Sequence, residues 1–289
     1  MSQPVIIVGA PRSGTNMLRD VLTSAPGVTT WPCDEINFVW KHRNLDIGHD
    51  EIPVERAVSS QAYLQGQFRR RGYRDRADLV VEKTCATSLR VPFAAAAVPT
   101  AKFIFIRRDG IDATASTMKR WNAAFDLSYT LQKARFVPPT DLPRHLWDFT
   151  MKRVVQRVSG DTRSERNDLK VSTWWGPRPH DFRSLQQNHS LEELAFIQWQ
   201  RCVEQADDAL SGLEPGRVLE VCYEDFVAAP REETRRCLKF MGIEHQLDST
   251  GVSQVRAGSV GKGRAQLGDD AVERLTDLGG DTLRRFGYA

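Results

Sequence analysis

The chain has 289 residues, of which 40% are apolar and 27% charged, with 40 Lys and Arg against 37 Asp and Glu. A chain this long buries roughly 75% of its unfolded surface, so it needs neither disulfides nor structural metals for a core, and its composition excludes wholesale disorder. A net charge of +3 is too mild for a nucleic-acid binder.

The N-terminus, MSQPVIIVGAPRSG, has neither the basic n-region nor the long apolar h-region of a signal peptide. No run of about 18 apolar residues marks a membrane span. Cys33, Cys85, Cys202, Cys222 and Cys237 are widely spaced, odd in number and without a C-x-x-C pair. That pattern excludes a disulfide framework or a zinc site and fits reduced thiols in a cytoplasmic protein.

In chain order, Pro4–Gly9 (PVIIVG) reads as a strand, Thr15–Ala25 as a helix and Val28–Trp31 as a short strand. Arg69-Arg70-Arg71 with Arg74 and Arg76 reads as a solvated helix end, or as a guide for an anionic ligand. Leu79–Lys83 and Ala101–Arg107 are further strands, the second followed by a helix over Asp109–Trp121. Residues 137–189 are irregular and rich in Pro and Gly, with a polar loop at Ser159–Asp168. Trp147, Trp174 and Trp175 in this region read either as a lid or acceptor wall or as the core of a helical cap. Leu191–Leu210 is a helix with a Ser190/Glu193 capping box. Arg217–Val221 is a strand. Pro230–Met241 is a helix with Pro in its first turn and Gly242 as its stop. A last helix spans Asp269–Leu278 and ends at Gly279-Gly280. Short, continuously apolar strands alternating with helices predict an α/β domain over residues 1–289, with a parallel sheet covered by helices on both faces.

The turn after the first strand, Gly9-Ala10-Pro11-Arg12-Ser13-Gly14-Thr15-Asn16, carries the most information. A glycine-rich strand-to-helix turn points backbone N–H groups at one centre, and the helix N-terminus adds partial positive charge. Gly9 and Gly14 have the spacing of the triphosphate loop G-x-x-x-x-G-K-[ST], but Thr15 stands at the lysine position. Arg12 offers a fork-shaped cation from within the loop instead. A plain Gly/Pro turn capped by Ser13 or Thr15 reads similarly. The strand Ala101–Arg107 leads to Arg108 at the carboxyl edge of the sheet, where ligands bind in open α/β folds, and Ser116 follows eight residues later.

Together, P-R-S-G-T-x-x-L after an N-terminal strand and a strand ending in R-D with Ser eight residues on resemble the PAPS-dependent sulfotransferase family. Its donor is 3′-phosphoadenosine-5′-phosphosulfate (PAPS). Glu82-Lys83-Thr84 resembles that family's K-T-P element, with Cys85 in place of proline. Val221-Cys222-Tyr223-Glu224-Asp225-Phe226 resembles its Y-E-D-L element. Ser259-Val260-Gly261-Lys262-Gly263-Arg264 resembles its late Gly/basic loop, with Gly263 where tryptophan is frequent, and Gly287-Tyr288 is similar to its end. The resemblance runs from residue 4 to 288 and is weakest between about 122 and 215. It implies a three-layer P-loop nucleotide-transferase-like fold with acceptor-binding insertions around 31–75 and 122–190.

It further implies that Arg12, Ser13, Gly14, Thr15 and Asn16 hold the 5′-phosphosulfate. Arg108 and Ser116 would hold the 3′-phosphate, with Gly261, Lys262, Gly263 and Arg264 closing over it. Sulfuryl transfer is an in-line displacement helped by positioning and positive charge, which Arg12 and Lys83 can supply without a metal. Trp31-Pro32-Cys33-Asp34-Glu35 lies where related enzymes carry an acidic base and touch substrate; Glu35 matches best, with Asp34, His42 and His49 as alternatives. The acceptor expected is a hydroxyl, less often an amine, of a small molecule or carbohydrate. Two other readings remain: a small-molecule kinase using Mg-ATP, against which Thr15 argues, and a nucleotide-binding scaffold without turnover.

Overall fold

Strands made of β-branched and aromatic residues pack best when both faces are covered, and that is where these runs lie. The computed structural model describes residues 2–121, 137–143, 176–255 and 258–288. Trp147, Trp174, Trp175 and the polar loop 159–168 fall outside the described residues.

The order is β1 (Gln3–Val8), α1 (Thr15–Thr23), β2 (Val28–Thr29), α2 (Asn37–Trp40), α3 (Ala57–Asp75), β3 (Leu79–Lys83), α4 (Val91–Ala97), β4 (Lys102–Arg107) and α5 (Gly110–Trp121). Among the described residues there follow α6 (Phe182–Asn188), α7 (Leu191–Ser211), β5 (Val218–Cys222), α8 (Tyr223–Ala228), α9 (Pro230–Met241), α10 (Gly263–Leu267) and α11 (Asp269–Arg285). The five strands form one sheet in the order β2-β3-β1-β4-β5, every neighbouring pair parallel. Alternate residues of each strand enter different cores. Val5, Ile7, Val81, Ile104 and Ile106 pack with Leu18 and Leu22 of α1 and Leu238 of α9. Ile6, Val8, Val80, Phe103 and Phe105 pack with Phe68 of α3, Phe93 of α4 and Val203 of α7. Among the described residues, no helix is long and apolar enough to cross a membrane.

Strand order reverses at β1: β2 and β3 lie on one side of it and β4 on the other. The crevice above the carboxyl ends of β1 and β4 is therefore the switch point at which α/β sheets bind ligands. Both motif loops begin there.

The capping box of α7 forms as expected, with Ser190 Oγ accepting from Glu193 N and the Glu193 carboxylate accepting from Ser190 N. Gly242 ends α9 in the left-handed region at φ 83°. The last helix departs from expectation. It does not stop at Gly279 but kinks there (φ −153°, ψ 34°) and continues to Arg285. A Cβ on Gly279 would lie 2.6 Å from the Phe196 ring, so this glycine lets α11 press onto α7. Leu283, buried beyond the kink, keeps the second half docked. The basic run lies at the C-terminal end of α3, which leads into the start of β3 at the amino edge of the sheet.

Glu82 breaks the apolar pattern of β3. It is 1% exposed and accepts a hydrogen bond from Thr84 Oγ1. Burial outweighs that bond and the positive charges of Arg90 and Lys83, and pushes its pKa up to about 7. The folded state thus binds the proton more tightly than the unfolded chain. Stability is lost as pH rises from the ordinary Glu range to about 7, by about 3 kcal/mol in all. Glu82→Gln should flatten this slope, so its Tm advantage over the wild type grows between pH 5 and pH 8. Parallel Tm curves for the two proteins would contradict the assignment.

Candidate active site

The β1–α1 turn is built by close approach. A Cβ on Gly9 would meet Ile106 O at 2.5 Å. Gly14 has φ +84°, and a Cβ there would meet the Tyr223 ring at 2.4 Å. Arg12 is itself left-handed at φ 68°, which turns its side chain out of the loop's path. Thr15 opens α1, buried, with Oγ1 3.7 Å from Cys85 Sγ. Ser13 Oγ is buried with no hydrogen-bond partner among the described residues, and so is Arg108 Nε. Unsatisfied buried donors at the carboxyl edge of the sheet suit an anion.

Arg12 joins the two motif segments. Its Nε donates to Ser116 Oγ at 2.9 Å, and its carbonyl accepts from Arg108 Nη1 at 3.0 Å. Burial, and then the charges of Arg108 and Arg120, lower the Arg12 pKa from its ordinary value. Guanidiniums gathered in this way favour a multiply charged anion.

Arg108 is buried and held through its two terminal nitrogens. Its Nη2 donates to Ser259 O at 2.8 Å and pairs with Asp112 at 3.5 Å, and its plane lies 4.4 Å from the centre of the Tyr223 ring. Tyr223 Oη bonds Ser259 Oγ at 2.8 Å, and Glu224 Oε1 accepts from Asp109 N at 3.1 Å. The Y-E pair therefore braces the β4 loop. Trp199 of α7 donates Nε1 to Arg108 O at 3.0 Å.

Asp112, in the first turn of α5, fastens the late loop. Its two carboxylate oxygens accept from Gly261 N at 2.7 Å and Gly263 N at 2.6 Å. A Cβ on Gly263 would lie 2.6 Å from Asp112 Cα, so a larger residue cannot occupy this position without moving the loop. Lys262 is exposed, and Arg264 reaches the main chain of Tyr288 at 3.2 Å. Neither Asp112 nor Trp199 was singled out by sequence reasoning. Asp112 had one signal, its i+4 spacing from Arg108. Trp199 had none beyond helical burial.

The second half of the crevice lies above β3. Glu35 Oε1 accepts from Lys83 Nζ at 3.1 Å and from Cys85 N at 3.2 Å. Burial opposes the Lys83 charge, but Glu35 more than offsets it, and the ammonium pKa rises above its ordinary value. Thr84 Oγ1 accepts from Ile36 N at 3.1 Å, tying the 31–37 segment to the strand end. Asp34 turns the other way, toward Arg19 of α1 at 3.5 Å. Trp31 is buried edge-on against Phe68, 5.2 Å between ring centres, and supports the segment from below. His42 Nδ1 pairs with Asp141 at 3.0 Å and its ring packs on Tyr63, while His49 lies near His180, 6.3 Å between ring centres. Burial pushes the Cys85 thiol up to about 12, so it is not a thiolate nucleophile at neutral pH.

The fold is similar to that of solved sulfotransferases. The sulfotransferase domain from the curacin biosynthetic pathway aligns with a TM-score of 0.51 at 13% identity, over 96% of this chain and 97% of that one. Sulfotransferase STF9 from Mycobacterium avium aligns with a TM-score of 0.50 at 13% identity, over 98% of this chain and 76% of that one. At such identity these likenesses speak to the fold alone. No curated protein matches the sequence. The profile of the sulfotransferase family matches residues 4–159 and 170–247, well over half of the chain. The chain therefore belongs to the sulfotransferase family.

Proposed function

We propose that the protein transfers the sulfuryl group of PAPS to a hydroxyl, less readily an amine, of a small-molecule or carbohydrate acceptor. The observation that carries this reading is the Arg12 junction, in which one arginine is bonded to both Ser116 and Arg108 at the switch point. A donor anionic at both its 3′ and 5′ ends suits cations gathered on adjacent strands. A triphosphate of the usual kind requires a lysine where Thr15 is buried against Cys85.

In this reading the turn from Arg12 to Asn16 receives the 5′-phosphosulfate on its N–H groups, and Ser13 Oγ gains its partner there. Arg108 and Ser116 take the 3′-phosphate, under the loop containing Gly261, Lys262, Gly263 and Arg264. The acceptor oxygen attacks sulfur from the side opposite the 5′-phosphate. As the new S–O bond forms, the bond to the bridging oxygen breaks, and its electron pair leaves on adenosine 3′,5′-bisphosphate. The acceptor proton passes to Glu35. Arg12 and Lys83 neutralise the charge growing on the leaving oxygen, so the step requires no metal ion. Trp31 and Asp34 shape and support the wall beside Glu35.

Release of the bisphosphate from PAPS across a panel of acceptors tests the reading; release that depends on an acceptor supports it, and phosphoryl transfer from Mg-ATP contradicts it. Asp112 supplies a further expectation. Asp112→Ala frees both loop N–H groups and one partner of Arg108. Hydrogen bonds to a charged group contribute about 1.5–3 kcal/mol each, so bisphosphate affinity should fall about tenfold to a hundredfold by calorimetry. Unchanged affinity would show that the loop holds without the clamp.

A further inference from the structure

The contacts that hold the Glu35 carboxylate include a side chain and a main-chain group. The side chain is Lys83, at 3.1 Å. The main-chain group is the N–H of Cys85, at 3.2 Å from the same oxygen. The second contact depends on which residue occupies position 85. Proline has no N–H, so the K-T-P form of this element cannot make the bond. The backbone would accept proline: Thr84 is extended (φ −135°, ψ 114°), as a residue before proline prefers, and position 85 is the first of the 3₁₀ turn Cys85–Leu89. The difference between Cys and Pro here is therefore the presence of one donor, aimed at one carboxylate.

We infer that the Cys85 main-chain N–H is a positioning group that keeps the Glu35 carboxylate ionised and oriented as the acceptor's base. This rests on the reading of Glu35 as that base. A donor bonded to the charged form of a carboxylate favours that form, so the N–H extends the pH range of an active base downward. The Cys85 side chain has a separate task, contact with Thr15 Oγ1 at the floor of the loop. The titratable and charged groups around Glu35 and its partner Lys83 include Cys85 itself, Arg90 at the start of α4 and the Cys202 thiol of α7, with Arg19 of α1 and the buried Glu82 of β3 acting on Lys83. Both thiols are held neutral by burial, and Arg19 and Arg90 have carboxylate partners of their own in Asp34 and Asp50. The Cys85 N–H and Lys83 both bond Glu35 Oε1 directly.

The first test needs no acceptor. Protein labelled with [15N]cysteine gives amide signals for five residues, and the Cys85 signal is the one lost in Cys85→Ala. In a Glu82→Gln background, which silences the buried carboxyl bonded to Thr84, it should shift with pH along a single ionisation curve, and the curve should vanish when Glu35→Gln is added. A Cys85 amide that ignores pH, or titrates unchanged when Glu35→Gln is added, overturns the inference. The second test is the pH profile of kcat/KM. Cys85→Pro should move the acid limb up by about one pH unit and rejoin the wild-type profile at higher pH. Cys85→Ala, which keeps the N–H, should leave the midpoint of that limb in place whatever it does to the rate. An acid limb unmoved in a folded Cys85→Pro protein overturns the inference while leaving Glu35 as the base. Wild-type turnover by Glu35→Gln removes the base itself, and the inference with it. Should Cys85→Pro fail to fold, the amide titration alone decides.

Discussion

Arg12→Ala should lower kcat by about 10²–10³ while changing bisphosphate affinity far less, the loss expected when one donor to a developing oxyanion is removed. The separation of the two effects follows from how Arg12 is held. Its main-chain carbonyl receives Arg108 Nη1, and that bond survives truncation of the side chain. The loop therefore keeps its anchor, as does the cradle for the 3′ end of the donor. The guanidinium is lost, and with it the bond to Ser116. The left-handed backbone at φ 68° is no more strained in Ala than in Arg. Arg12→Lys keeps the charge but not the planar fork, so it should recover only part of the rate. Single-turnover transfer measured beside bisphosphate calorimetry separates the outcomes. Equal losses in rate and affinity would place Arg12 in donor binding alone.

Glu35→Gln should lower kcat by about 10²–10⁴, the range of a positioned general base. Its second effect has a definite sign. Glu35 is what lifts the Lys83 pKa against burial. Without that charge burial dominates and the ammonium pKa falls, so the basic limb of any residual pH profile moves to lower pH. Asp34→Asn should cost less than about tenfold, because Asp34 faces Arg19 and not the strand end. A profile whose basic limb stays fixed in Glu35→Gln would show that Lys83 does not titrate in the step that limits turnover.

The sheet was legible because covering both faces requires nearly unbroken apolar runs, and Val5 to Val8, Leu79 to Val81 and Phe103 to Ile106 are such runs. The turn at Gly9 to Asn16 was legible because glycine is required at positions where a Cβ would strike Ile106 or Tyr223. Close packing also explains the misjudged last helix. Gly279 carries the residue type of a helix stop, but its cause is the Phe196 ring, which no local pattern reveals. The site was legible as two segments and not as one. That Arg12 reaches Ser116, 104 residues away, follows from β1 and β4 being neighbours. The clamp at Asp112 was hidden for a different reason. Its partners are backbone N–H groups about 150 residues on, and a main-chain donor leaves no mark in sequence. The same holds for Cys85: its substitution for proline reads as a departure from a motif, whereas the structure turns it into a hydrogen bond.

The central claim is that Arg108, anchored on the main chain of the Arg12 loop, makes the switch point a receptor for a nucleotide charged at both its 3′ and 5′ ends. Its most direct measurement is thermal shift and calorimetry with adenosine 3′,5′-bisphosphate, 5′-AMP and Mg-ATP in parallel, on the wild type and Arg108→Ala. The account predicts tightest binding of the bisphosphate, with a preference over 5′-AMP that Arg108→Ala abolishes. Tighter binding of Mg-ATP, or a preference for the bisphosphate that survives Arg108→Ala, would contradict it.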